Sequence, residues 1–116
     1  MIGWLVAAGL GAGLYGLTMA PGVVWQDGGE FQLRLLMGAF EDRTSLSRSH
    51  VLHFLLMRGL SFLTEPAVAA NLVSVLAGAV TLGNVFVLCR LLAGNRLAAI
   101  CAVASLGLAH TFWQFS

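Results

Sequence analysis

The residue types best suited to chemistry stand close together in Val24-Trp25-Gln26-Asp27-Gly28-Gly29-Glu30. Asp27 and Glu30 are three positions apart, which lets both carboxylates share one helix face. Two neighbouring carboxylates suit a general base with a supporting acid, or ligands for a metal. Gly28 and Gly29 carry no side chain, so a substrate can approach the backbone closely. The same pattern also fits a solvated helix start, where acids are favoured by the helix dipole. His50 and His53 repeat the three-residue spacing and form a candidate metal pair. Two further ligands would be needed, and ordinary interfacial histidines are the plainer account. His110 lies near the end of an apolar run, where a polar residue is a functional hint but can also reach water. Asn71 and Asn84 lie inside another apolar run, a setting for hydrogen bonds between helices. Arg34, Arg48 and Arg58 have the donor geometry that suits a lipid phosphate. A salt-bridged or solvated surface fits each arginine equally well.

These residues sit in an apolar chain. Of 116 residues, 59% are hydrophobic and 9% charged, and mean hydropathy is +0.89. Soluble domains have roughly 25% charged residues, and a soluble chain this apolar would expose large sticky patches. Lipid is the simpler solvent. A net charge of +1 gives no electrostatic footprint for nucleic acid. Cys89 and Cys101 lie in apolar runs without CxxC spacing or a His/Cys cluster, as small packed residues do.

Three runs are long enough to cross the hydrocarbon core, which takes about 20 residues. The first covers residues 1–21 and is uncharged. Its Gly9 and Gly13 have a small-xxx-small spacing that predicts close helix contact. A signal peptide is the rival account, but the run lacks a basic leader and exceeds a usual signal core. The second run, 66–89, opens on Pro66, which is tolerated in a first helical turn. The third, 97–113, ends in Phe112 and Trp113 at an interface. Gly94 and Asn95 suit the turn between the last two.

Residues 27–65 hold all five acids and four of the six arginines. Residues 28–40 and 50–63 are amphipathic and too short to span, so each predicts a helix lying in the interface. In the first, Glu30, Arg34 and Glu41 share a polar face, with Phe31, Leu35, Leu36 and Phe40 elsewhere. Arg90 and Arg96 place their loop in the cytoplasm by the positive-inside rule. The N-terminus is then cytoplasmic and residues 27–65 lie outside. The expected fold is an all-α membrane protein, one domain over 1–116, with three transmembrane helices and two short amphipathic helices between the first and second.

Four motifs in order resemble one family. They are Thr18-Met19-Ala20-Pro21-Gly22-Val23 running into Trp25-Gln26-Asp27-Gly28-Gly29-Glu30, then Ser49-His50, Asn71-Leu72-Val73-Ser74 and His110-Thr111-Phe112-Trp113. Together they resemble the bacterial relatives of protein O-mannosyltransferase-like membrane proteins. The resemblance covers residues 15–116. It implies a GT-C type fold, present here in part, and transfer of a sugar such as mannose from a polyprenyl-phosphate carrier to a protein or glycan hydroxyl. Asp27 would be the essential acidic residue of the first outer loop, taking the acceptor's proton, with Glu30 beside it. Arg34, His50 and His110 would bind substrate. No metal ligand is assigned, and a divalent metal is a candidate cofactor. The implied location is the bacterial inner membrane, with membrane lipid, the lipid-linked sugar and the acceptor as partners. Two departures stand out. Val51 replaces the family's Pro after the histidine, and the family's membrane domain is several times longer. The chain therefore reads as the N-terminal portion of such an enzyme, inactive alone, whose partner would be the remainder. The alternative is a small membrane scaffold that binds a partner through Gly-rich faces. A transporter fragment is weaker, since no inverted repeat is visible.

Overall fold

The computed structural model describes residues 1–22, 27–38 and 50–109, although the side chains of Asp27 and Gly28 are outside that description. All regular structure among the described residues is helical. The elements are α1 (Ile2–Thr18), α2 (Asp27–Met37), α3 (Val51–Leu60), α4 (Pro66–Ala93) and α5 (Arg96–Gly107). The two short helices fall between the first and second apolar runs, as the pattern of residues 27–65 predicts.

Local chemistry sets the ends. Helix α1 stops at Thr18, and Met19 turns extended at φ −65°, ψ 149°, two residues ahead of Pro21, which has no N–H to extend the ladder. Gly38 ends α2 at φ +65°, with its N–H on the Leu35 carbonyl at 3.3 Å. Pro66 opens α4. Gly94, at φ +64°, closes it by donating to the Arg90 carbonyl at 3.1 Å. A left-handed residue after the last turn is the usual place for glycine. Asn95 then caps α5, its side chain accepting from the Leu97 N–H at 2.8 Å.

The chain forms two compact units, one of Met1–Met19 with Ser74–Ser116 and one of Ala20–Val73. In the first, α1 meets the later part of α4 through Gly3, Ala7, Gly11 and Tyr15. A Cβ added at Gly11 would lie 2.8 Å from Leu82 Cδ1 and 3.4 Å from the Ala79 Cα. Facing it, a Cβ at Gly83 would meet the Trp4 indole at 2.7 Å. The close contact therefore does not use Gly9 and Gly13, which have nothing within 4 Å. Two positions along a helix is about 200° around it, so the predicted stripe lies on the opposite side. Trp4 Nε1 donates to Asn84 Oδ1 at 2.9 Å. The buried Tyr15 hydroxyl donates to the Gly107 carbonyl at 3.0 Å, pairing an acceptor from the last turn of α5 that has no helical donor. Tyr15, Val75 and Leu82 form this unit's core, with Met19, Val103 and Leu106 against it.

The second unit packs Leu35 of α2 and Phe54 and Met57 of α3 against Ala70 and Val73 in the first turns of α4. Met57 is fully buried, a contribution of about 1.5–3 kcal/mol relative to exposure.

Among the described residues one helix is long and apolar enough to cross a membrane, α4 with its 28 residues. At about 1.5 Å per residue it spans about 42 Å, more than the hydrocarbon core. Only 33% of its most apolar stretch is buried within the chain, whereas the core helix of a soluble protein would be mostly covered. Three spans are not supported. Helix α1 has 17 residues against the expected 21, because the turn before Pro21 unwinds its end. Helix α5 has 12 residues, and residues 110–113 of the expected third span lie outside the described residues. The second span runs four residues beyond its expected end, since Arg90, Leu91, Leu92 and Ala93 continue the helix until Gly94.

Candidate functional site

The Ala20–Val73 unit holds the described candidate residues. Asp27 is the first residue of α2. Glu30 lies one turn on, exposed. Its carboxylate takes an ion pair from Arg34 one further turn along, with Nε to Oε1 at 3.4 Å. Acid before base at this spacing is the favourable order on a helix.

Arg34 departs from expectation. Its side chain is only 10% exposed, on the buried side with Leu35, rather than on a solvated polar face. A buried cation needs compensation. Here Glu30 supplies charge, and the Phe31 ring lies 5.6 Å from the guanidinium carbon, in cation–π range. The apolar residues Leu33, Leu36 and Met37 are exposed instead. Helix α3 likewise exposes Leu52, Leu55 and Leu56 while burying Phe54 and Met57. Each short helix thus has one apolar side inside the fold and another outside it, as a helix resting in a lipid interface would.

Phe31 is the hub. The rings of His50 and His53 meet it edge-on, with centroids at 5.3 Å and 5.4 Å and interplanar angles of 77° and 68°. Burial pushes the His53 pKa below the ordinary histidine value, and the neighbouring charge of His50 adds to this. His50 precedes α3 in a left-handed conformation, φ 44°, ψ 56°. Histidine tolerates this region better than most residues, though at some cost. Val51 is therefore the first residue of α3, a place where proline is also well tolerated.

A polar network that the sequence reading passed over holds α2 in place. Gln32 is 1% exposed. Its Nε2 donates to Asn71 Oδ1 at 2.9 Å and to the Ala67 carbonyl at 3.4 Å. Asn71 Nδ2 in turn donates to the carbonyls of Ala20 at 2.7 Å and Gly22 at 3.1 Å. The segment after α1, helix α2 and the start of α4 are thereby tied at one residue. The signal for Gln32 was its position between Phe31 and Leu35, where the only way to bury a carboxamide is to pair it. Asn71 and Asn84 bond between helices, the plainer of their two readings.

Among the described residues no three His, Cys, Asp or Glu side chains converge as metal ligands would, so no step through a metal is derived. His110 lies outside the described residues. Cys89 is half-buried and Cys101 exposed, both as free thiols. No known protein family, curated protein or solved structure matches the chain.

Proposed function

We propose that this chain forms the acceptor-activating part of a membrane glycosyltransferase that uses a polyprenyl-phosphate sugar. The observation that carries the reading is helix α2. It opens at Asp27 and presents Glu30 paired with a nearly buried Arg34, beside an apolar helix long enough to cross a membrane. A carboxylate and a cation on one short helix at a lipid surface match what sugar transfer from a lipid phosphate requires. The resemblance of the four motifs supports the same choice.

In this reading Asp27 accepts the proton of the acceptor hydroxyl as its oxygen attacks the anomeric carbon. The bond from that carbon to the phosphate oxygen breaks, and the polyprenyl phosphate leaves with the electron pair. Arg34 offsets the charge gathering on the phosphate. Glu30 holds the guanidinium in place, and His50 and His53 flank the acceptor side of Phe31. The other two spans of the three-span topology, α1 and the region of α5, complete the bilayer portion.

Asp27→Asn introduced at the native gene is expected to lower transfer from a polyprenyl-phosphate sugar in isolated membranes by about 10²–10⁴-fold. Unchanged transfer would rule out the general base.

A scaffold without catalysis is the second reading, favoured by the uncovered Gly9 and Gly13 on α1. It predicts that Gly9→Cys or Gly13→Cys crosslinks to a partner helix while Asp27→Asn changes nothing measurable.

A further inference from the structure

Charge in the Met1–Met19 and Ser74–Ser116 unit is confined to two side chains. All five acids of the chain lie between Asp27 and Glu65, so Arg90 and Arg96 have no acidic side chain within their unit. The two-residue turn Gly94-Asn95 brings both arginines to one groove of about 700 Å³. Arg90 sits in the last turn of α4, and Arg96 is the first residue of α5. The rest of the groove is apolar, with Trp4, Phe86, Val87 and Leu91 on its walls. Trp4 is held by its bond to Asn84, and the Phe86 ring fills the space left by Gly3. The groove lies at the end of α4, a helix long enough to cross a bilayer, where arginine heads and tryptophan rings meet the lipid headgroups.

We propose that this groove binds an anionic phospholipid. Arg90 and Arg96 take the phosphate, and an acyl chain lies along Val87 and Leu91. Two cations with no acidic side chain in their own unit attract an anion. At the first turn of α5, Arg96 is also next to backbone N–H groups that favour negative charge. The apolar walls select a lipid over a soluble phosphate, which would leave them bare. Basic pockets between helices on the cytoplasmic side of membranes bind anionic headgroups by this combination. The inference rests on the membrane placement of α4 and is independent of the sugar-transfer reading.

The test uses the full chain with Trp25→Phe and Trp113→Phe, leaving Trp4 as its one tryptophan. It is placed in phosphatidylcholine nanodiscs containing a minor fraction of acyl-brominated phosphatidylglycerol or, in parallel, of acyl-brominated phosphatidylcholine. The anionic lipid is expected to quench Trp4 about fivefold more effectively, the scale of one basic group meeting an anionic surface. Arg90→Gln with Arg96→Gln should bring the two lipids to parity, and Arg90→Lys with Arg96→Lys should retain the preference. Equal quenching in the parent protein overturns the proposal, whether or not the glutamine variant folds. A preference that survives both glutamines overturns it too. Excess glycerol phosphate should leave the quenching unchanged, and its abolition would show a soluble-phosphate site instead.

Discussion

Asn71 concentrates more structure than any other polar residue described. Its amide joins the segment after α1, helix α2 and helix α4. Replacing it with alanine leaves the buried Gln32 amide without its best acceptor. The expected loss is about 1–3 kcal/mol, the cost of stranding a buried polar group. Loss of helical signal during detergent titration measures it, and a Gln32→Leu, Asn71→Leu pair should recover part of the loss. His53 adds a pH dependence. Its folded pKa is lowered, chiefly by burial and then by the charge of His50, so between that value and the unfolded value near 6.5 the unfolded chain binds more protons. Stability then falls as pH drops below about 6.5 and levels off below the folded pKa. Proton NMR titration of the His53 ring and its removal in His53→Gln check the sign. At this scale the Glu30–Arg34 pair was legible from spacing alone. The burial of Arg34 was not, because the side that α2 turns inward is set by Phe54, Met57, Ala70 and Val73 from other parts of the chain.

Helices show where periodicity is enough and where it is not. The existence and order of all five follow from apolar runs, Pro66, Gly38 and Gly94, each of which acts on its own backbone. The face that α1 buries does not follow, because Gly9/Gly13 and Gly3/Ala7/Gly11 both place small residues every four positions and are equally open to packing. The bulk of Leu82, Phe86 and Trp4 decides between them, each filling the space beside a missing Cβ. Gly9→Ala and Gly13→Ala should therefore be neutral or stabilise α1 by up to about 1 kcal/mol through helix propensity. Gly11→Val and Gly83→Val should cost about 1–3 kcal/mol by overpacking. Detergent titration of the four variants separates these outcomes. Loss at Gly9 and Gly13 with none at Gly11 would refute the described packing.

As a whole the molecule leaves much apolar surface outside its fold, including Leu10 and Leu17 on α1 and Leu91 and Leu92 at the end of α4. Patches of this kind call for a membrane or a partner. The chain is expected to stay with the membrane fraction through alkaline carbonate extraction, and release into the supernatant would exclude a spanning α4. Composition and residue order by themselves determined that the chain is rich in apolar runs, that its described elements are helical and that its acids gather in one segment. Those properties are sums over residues or act between near neighbours in sequence. The tertiary structure decided which glycines touch, that Arg34 and Gln32 are inside, and that Arg90 and Arg96 open onto one groove. Each of those depends on residues far apart in the chain, and no local pattern records which distant partner will supply the volume, the charge or the hydrogen bond.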